Sequence, residues 1–545
     1  MKRPSLGELS AGIYDLLIVG GGIVGCGVAR DAALRGLRVA LVEQHDFGSG
    51  TTSRSTRLIH GGLRYLELYD FGLVREDLRE RETLMRIAPH LVRSLRFLVP
   101  MYRLSAYQRL RLRAGMLLYD ALSFDKRLPG HRFLSKDETL VAEPNLDPSG
   151  LQGAARYFDA QVALPERLCL ENALDAAAHG AVLRNYTRSE RFLIDRGRVA
   201  GIEVRDGVTG ERATVRARVT VNATGPWLDR TLAQIRPSAP PLLRTTRGVH
   251  LVTERLGPNA VVLFARSDGR LFFVVPWLGL SLIGTTDTDE PDRPENVRAD
   301  PDDLRYLLDE ARRAFPGLAN LRPYFSMAGV RALVRKEGVR ESEVSRKHAV
   351  LDHAREGGPD GVISILGGKI TAFRAIAEEA VDLVGRKLGR RASCATDRRP
   401  LPGAPLDRAH LREEVARRAE RLGLSPEQQR YLLTVYGRRV GEVLALADAR
   451  PDLADKACSD RPTILAEVIH AAREESALRL DDFLLRRTPL GLAPGQGLTA
   501  APQVAETLGS ELDWDAAERA AQVEQYREEV RGLYAVSVEP AEVSP

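Results

Sequence analysis

The sequence predicts an α/β protein in which a Rossmann-like domain is interleaved with an antiparallel-sheet domain and followed by an all-helical C-terminal domain. Three observations predict it: a glycine-rich turn between a strand and a helix near the N-terminus, β-patterned segments through 150–370, and an almost wholly helical pattern from 406 to about 535.

In the first element, Tyr14 to Val19 reads as a buried strand, Val28 to Leu34 carries helical apolar spacing, and Arg38 to Val42 reads as a second strand. Gly20, Gly22 and Gly25 between them fill G-x-G-x-x-G. They provide in turn a tight bend, a close backbone approach for a pyrophosphate, and close packing of helix on sheet. The helix N-terminus favours an anion there. Glu43, at the end of the second strand, is placed to accept hydrogen bonds from an adenosine ribose, and an acid at this position argues against a 2′-phosphate. The unit predicts a dinucleotide and leaves FAD and NAD unseparated.

The 545 residues allow three or four domains, or a two-domain enzyme with an appendage. A hydrophobic share of 44% and a charged share of 28% fit an ordinary globular protein with a packed core. Cys26, Cys169, Cys394 and Cys458 are scattered without a C-x-x-C pair, so neither a metal site nor a disulfide framework is expected, and a reducing cytosol is the simplest setting. The start, MKRPSLGELSAGIYD, lacks an apolar signal core and no long apolar run follows. Secretion and membrane spanning are therefore not expected, and membrane contact would be peripheral. The net charge of +5 suits anionic small molecules, lipid headgroups or nucleic acid without choosing among them.

From Tyr69 a long amphipathic helix is predicted, stopping near Pro89. Residues 91–119 hold six arginines and no acid among leucines and tyrosines. They read either as a solvated helix face with a buried stripe or as a basic amphipathic surface lying on anionic lipid. β-like runs follow, with a hairpin connection predicted at Trp277-Leu278-Gly279. An arginine- and proline-rich linker separates them from the helical region, where no chemistry-bearing cluster stands out. The last residues read as a frayed tail.

Two further motifs bear on the ligand. Val219 to Asp229, VTVNATGPWLD, is a β-branched strand ending at Ala223-Thr224-Gly225, where small residues suit backbone passing close to a cofactor. Val362 to Val384 is a strand followed by Gly367-Gly368 and a helix, a second glycine turn aiming a positive dipole end at something electron-rich. For a flavin that target is the edge where negative charge gathers on reduction. Two glycine-opened helices describe FAD better than NAD.

Together GGGIVGCGVARDAALRGL, SRSTRLIHGGLRYLE, NATGPW, IGTTD, GVRAL and GGKITAFR resemble the FAD-dependent glycerol-3-phosphate dehydrogenase family over 13–385. TVYG at 434–437 and RRTPLGL at 486–492 extend the likeness. The resemblance implies an oxidoreductase region over 1–385. Its FAD-binding parts are expected at about 13–90, 150–235 and 355–385, and its substrate-binding parts at about 91–149 and 236–354. A linker at 386–405, a C-terminal helical domain at 406–535 and a tail at 536–545 complete it. It also implies oxidation of sn-glycerol 3-phosphate to dihydroxyacetone phosphate by hydride transfer to FAD. Electrons pass on to membrane quinone, from a cytoplasmic protein peripheral on the inner face of the membrane through 91–119. A homodimer is compatible with it.

Site residues follow from the same likeness. Arg64 and Tyr65 are expected at the phosphate, for which a planar guanidinium is well shaped. Arg331 and Lys369 line the substrate site, with Thr285, Thr286 and Asp287 binding phosphate or holding Arg331 by a carboxylate. His250 and His60 are the candidate bases, His60 alternatively a flavin neighbour, and water beside Arg331 is a third route for the proton. Cofactor contacts are expected at Gly20, Gly22, Gly25, Glu43, Thr52, Ser53, His60, Gly61, Ala223, Gly225, Gly367, Gly368, Lys369 and Thr371. Two departures stand out. Ala332 replaces a proline usual after this arginine, which bears on loop stiffness, and Leu164-Pro165-Glu166-Arg167 lacks an acidic pair common in relatives. An oxidase using O₂ and an amine oxidase are neighbouring readings. An RNA-binding flavoprotein would need stacking aromatics that are not seen, so no nucleic acid is expected.

Overall fold

A computed structural model describes the chain except residues 67, 68, 238, 291, 292, 319, 336–346, 535 and 537–545; the side chain of Arg64 also lies outside the described residues, as does nearly all of the expected tail. Two sheets organise it. In the first, the strands run in the order Ala349–Asp352, Val362–Leu366, Arg212–Asn222, Ile13–Val19, Val39–Val42, Val182–Arg184. Ile13–Val19 lies parallel to both Val39–Val42 and Arg212–Asn222, and Arg212–Asn222 is parallel to Val362–Leu366. The chain leaves the central strand on one side and returns on the other. The crevice between strands Ile13–Val19 and Arg212–Asn222 is therefore a switch point, where ligands bind at the carboxyl ends of strands. The strand predicted to end in A-T-G does return to this sheet, and Ala223 N donates to Val19 O at 2.9 Å.

Glycine makes the turn at that point. Gly20 has φ +109°, and a Cβ on it would meet Ala223 O at 2.5 Å; a Cβ on Gly25 would lie 1.9 Å from Gly20 O. The helix Ile23–Leu34 starts five residues earlier than its apolar spacing announces, because the glycines and Cys26 weaken the periodicity. It packs between helices Pro165–Ala178 and Phe373–Leu388, with Gly27 against the ring of Phe373.

The second sheet is mainly antiparallel. Leu243–Thr253 pairs with Pro323–Val334 and Leu280–Gly284, and the sheet continues through Leu271–Trp277, Ala260–Phe264, Val92–Tyr102 and Leu151–Val162 to Leu58–Ile59. The predicted hairpin is present, Trp277 facing Leu280 across Leu278 (φ +51°) and Gly279 (φ +82°), the turn whose twist matches the strands. Within the interval 150–235 expected at the nucleotide, strand Leu151–Val162 pairs into this second sheet.

The stretch 91–119 is not one amphipathic element. Val92–Tyr102 is a strand inside the second sheet, and only Ala106–Leu122 is helical. Ser105 and Gln108 form a capping box that starts the helix. Arg93, Ser94 and Arg96 place the exposed residues of the strand, whereas Phe97 to Met101 are buried. The predicted helix before it spans Phe71–Ile87.

Arg57 joins the two sheets. Fully buried, it makes a two-pronged ion pair with Glu166 at 2.9 and 3.0 Å and stacks over Trp277, 4.6 Å from the ring centroid. Glu166 thus has a partner of its own, and Arg167 pairs with Glu475 of the helical region at 2.5 Å. That region, from Arg408 to Tyr534, packs its own core onto the second sheet.

Gly25→Ala is expected to lower stability by about 1–3 kcal/mol through the forced backbone shift and to leave the purified protein colourless. Thermal unfolding and visible absorbance check it, and a yellow variant with wild-type stability contradicts the close approach.

Candidate active site

A continuous cavity of about 2290 Å³ runs from the strand ends of the first sheet to the face of the second. That is more than twice the upper end of ordinary ligand pockets, room for a long, two-ended molecule.

At the first sheet its wall carries Gly20, Gly22, Glu43, Thr52, Ala223 and Gly225. Thr52 Oγ1 accepts from Ile23 N at 3.1 Å, fixing the start of the helix whose remaining first-turn N–H groups face an anion site. Glu43 accepts from Gly21 N at 2.6 Å and from His45 N at 2.9 Å. Burial pushes its carboxyl up in spite of those donors. A carboxylate offers about four acceptor sites, so these two bonds leave capacity for ribose hydroxyls. Ser53 and Gly61 stand behind the wall. The Ser53 hydroxyl donates to Gly48 O at 2.6 Å, and Gly61 N donates to Tyr119 OH at 3.1 Å.

Gly367, Gly368 and Thr371 line the middle of the cavity, where Thr371 Oγ1 accepts from His60 N at 3.2 Å. The helix predicted to open at this glycine pair begins only at Phe373. Lys369 is therefore a loop residue, and the dipole argument for it does not apply. Its Nζ instead meets Asp77 Oδ2 at 2.5 Å and lies 3.7 Å from the centroid of the Tyr65 ring. Burial raises the Asp77 carboxyl to about 7, outweighing the pull of Lys369. Below it Asp159 accepts from Arg81 and Tyr119, a buried footing for this corner. Arg64 belongs to the turn Leu63–Leu66, and its side chain lies outside the described residues.

On the second sheet Arg331 and His250 face the same cavity. Arg331 donates to Asp287 Oδ1 at 2.8 Å, to Thr285 Oγ1 at 2.7 Å and to Thr286 O at 3.1 Å. Gly248 makes room for it, since a Cβ there would come within 2.2 Å of the guanidinium. The Thr286 hydroxyl is engaged by Val249 N at 3.1 Å. Ala332, expected to bear on loop stiffness, is instead a strand residue paired with Thr245, so the position concerns strand pairing.

His250 is buried with its Nε2 at 2.9 Å from Thr56 Oγ1, while its Nδ1 makes no hydrogen bond among the described residues. Burial first, then the cations Arg331 and Arg57, lower it to about 3, so the imidazole is neutral. His60 sits edge-on to Phe273, 6.1 Å between centroids, on the same wall.

The expected residues thus converge on one cavity, apart from Ser53 and Gly61 behind it, Gly25 in the helix packing, and the undescribed Arg64 side chain. Thr56, Asp77 and Gly248 were not foreseen. Arg479, Asp481 and Glu529 of the helical region also line the cavity, although that region shows no chemistry-bearing cluster along the sequence. The β-carbon-free turn, the free acceptor capacity of Glu43 and the elongated cavity reaching a second sheet fit FAD.

Residues 15–383 match the family described as FAD dependent oxidoreductase, and residues 394–519 match the C-terminal domain of alpha-glycerophosphate oxidase. Glycerol-3-phosphate dehydrogenase from Synechocystis sp. is 38% identical over 96% of this chain and 97% of that one. Glycerol-3-phosphate dehydrogenase 2 from Mycobacterium tuberculosis is 37% identical over 97% and 90%. Among solved structures, the Bacillus halodurans glycerol-3-phosphate dehydrogenase complexed with FAD superposes with a TM-score of 0.79 at 29% identity, covering 97% and 96%.

Between about 6.5, where an unfolded histidine takes up a proton, and the value near 3 of buried His250, the unfolded state binds the extra proton. Stability therefore falls as pH drops through this window, by up to ~1.4 kcal/mol per unit from this residue. His250→Gln is expected to show a shallower decline in Tm from pH 7 to 4, and equal slopes contradict a neutral buried imidazole.

Proposed function

Because this chain belongs to the FAD-dependent glycerol-3-phosphate dehydrogenase family, we propose that it oxidises sn-glycerol 3-phosphate to dihydroxyacetone phosphate and passes the electrons to a membrane quinone. FAD is its cofactor, and when bound it supplies the acceptor for the hydride leaving C2 of the alcohol.

The observation that carries the reading is Arg331. A guanidinium held by Asp287 and Thr285 faces the cavity that also holds the glycine turn, and beside it stands a neutral imidazole. Arg331, with Lys369, draws the phosphate dianion in, and Asp287 keeps the fork oriented. Tyr65, stacked under Lys369, steadies that ammonium. Arg64 is proposed as a further phosphate contact on its resemblance alone. His250 is the proposed base for the C2 hydroxyl proton. An incoming dianion offsets the Arg331 charge that depresses it, so substrate binding itself raises its basicity. His60, next to Thr371, is proposed as a neighbour of the flavin.

The quinone as acceptor is supported by helix Ala106–Leu122. It exposes Tyr107 (73%), Leu110 (65%) and Leu117 (63%) beside the exposed Arg109, Arg111 and Arg113, an amphipathic face suited to anionic lipid. Leu112 and Leu118 of the same helix line the cavity, which offers an apolar acceptor a path from that face. Among the described residues no helix is long and apolar enough to cross a membrane. The match of 394–519 to an oxidase's C-terminal domain favours O₂ as the second reading.

Anaerobic addition of glycerol 3-phosphate is expected to bleach the flavin, with Arg331→Ala needing about 100-fold more substrate because the phosphate loses a charge-assisted partner. Bleaching of wild type by sarcosine alone overturns the substrate. Oxygen consumption as fast as reduction of a quinone analogue, with no binding to anionic vesicles, overturns the acceptor.

A further inference from the structure

The loop between the second strand of the nucleotide unit and the wall residue Thr52 is tied to the glycine turn at both ends. Glu43 accepts from Gly21 N, and Gly48 N donates to Gly21 O at 2.9 Å. At its centre is Asp46, completely buried. Its carboxylate accepts from Arg486 Nε at 2.7 Å, Arg487 Nη1 at 2.6 Å, Arg487 Nη2 at 2.9 Å and Asn185 Nδ2 at 3.2 Å.

Both arginines belong to the C-terminal helical region, and both are themselves fixed. Arg487 donates to Glu475 O at 2.7 Å, and Arg486 donates to Asp481 at 2.5 Å and to Asp482 at 2.6 Å. Asp482 reaches back by accepting from Tyr186 OH at 2.6 Å, while Tyr186 N donates to His45 O at 2.8 Å. The region therefore grips the Glu43–Thr52 loop from two sides. It also supplies Arg479, Asp481, Arg486 and Glu529 to the cavity wall that holds Gln44 and His45.

We propose that the C-terminal helical domain retains the cofactor: Arg486 and Arg487, by clamping Asp46, hold the loop that presents Glu43, so FAD leaves only when this clamp loosens. The physical basis is the burial of the clamp. Removing one member leaves an uncompensated charge out of reach of water, and the loop must move to relieve it. By linkage, bound FAD in turn strengthens docking of the helical domain. Asp46, Arg486 and Arg487 act as positioning residues through the backbone of the loop.

The test uses the full-length holoenzyme, with FAD release followed by the fluorescence of free flavin well below the unfolding temperature. Asp46→Asn and Arg487→Gln are expected to release FAD at least 10-fold faster and to raise its Kd at least 10-fold. Arg487→Lys, keeping the charge without the two-pronged grip, is expected between them and wild type, and decides the matter if the other variants do not fold. Glu171→Gln is the control. It loosens a different buried tie, to the linker that leads into that region, Glu171 accepting from His90 at 2.7 Å and from Gly403 N at 3.0 Å, and is expected to lower Tm with FAD affinity unchanged. Wild-type FAD release in the folded Arg487 variants overturns the proposal, as does equal loss of FAD from Glu171→Gln.

Discussion

The structure depends on one steric constraint, the contact between Gly25 and the carbonyl of Gly20. No side chain could stand between them, and because none does, the first helix begins directly over the end of the central strand. Ala223 closes the same junction from the neighbouring strand. These contacts put the helix N-terminus and Glu43 at the place where the sheet's connections diverge, and the rest of the cavity is built outward from there.

The second sheet is held to that junction by a shared apolar core, in which Ile59, Ala160 and Val162 pack with Leu16 and Ile18, and by buried ion pairs set into it. Arg57 with Glu166, Arg374 with Glu80 and Arg81 with Asp159 each join segments more than 70 residues apart. Such pairs give little net stability, because desolvation offsets their attraction, but a mispaired arrangement is costly. They therefore act on register, and register is what a redox site shared between two sheets requires. The same logic explains why Arg331 is enclosed by Asp287, Thr285 and the bare backbone of Gly248.

Much of this was legible in the sequence because the signals are local. The G-x-G-x-x-G turn, the A-T-G strand end and the Leu278-Gly279 hairpin each need only neighbours in the chain to be recognised. Val92–Tyr102 was not legible as a strand, since its arginines and apolar residues suit a basic helix face equally well, and only pairing with Leu151–Val162 decides. Lys369 was placed on the wrong physical footing, because its partner Asp77 lies 292 residues away and the helix starts four residues late. The Glu166 environment and the helical region's share of the cavity were equally hidden. Both depend on pairs that no spacing rule connects.

Asp46 and its two arginines lie about 440 residues apart in the chain. At about 5–20 residues per second, a ribosome needs roughly 20–90 s to travel between them. Throughout that interval the nascent chain already contains the complete glycine turn and Glu43, yet lacks the cations that Asp46 needs for burial. The carboxylate must stay hydrated in the meantime, so the nucleotide-binding half matures only after its last partner emerges. Burial of Asp46, and with it the final setting of the Glu43–Thr52 loop, thereby waits on synthesis of the segment that carries Arg486 and Arg487.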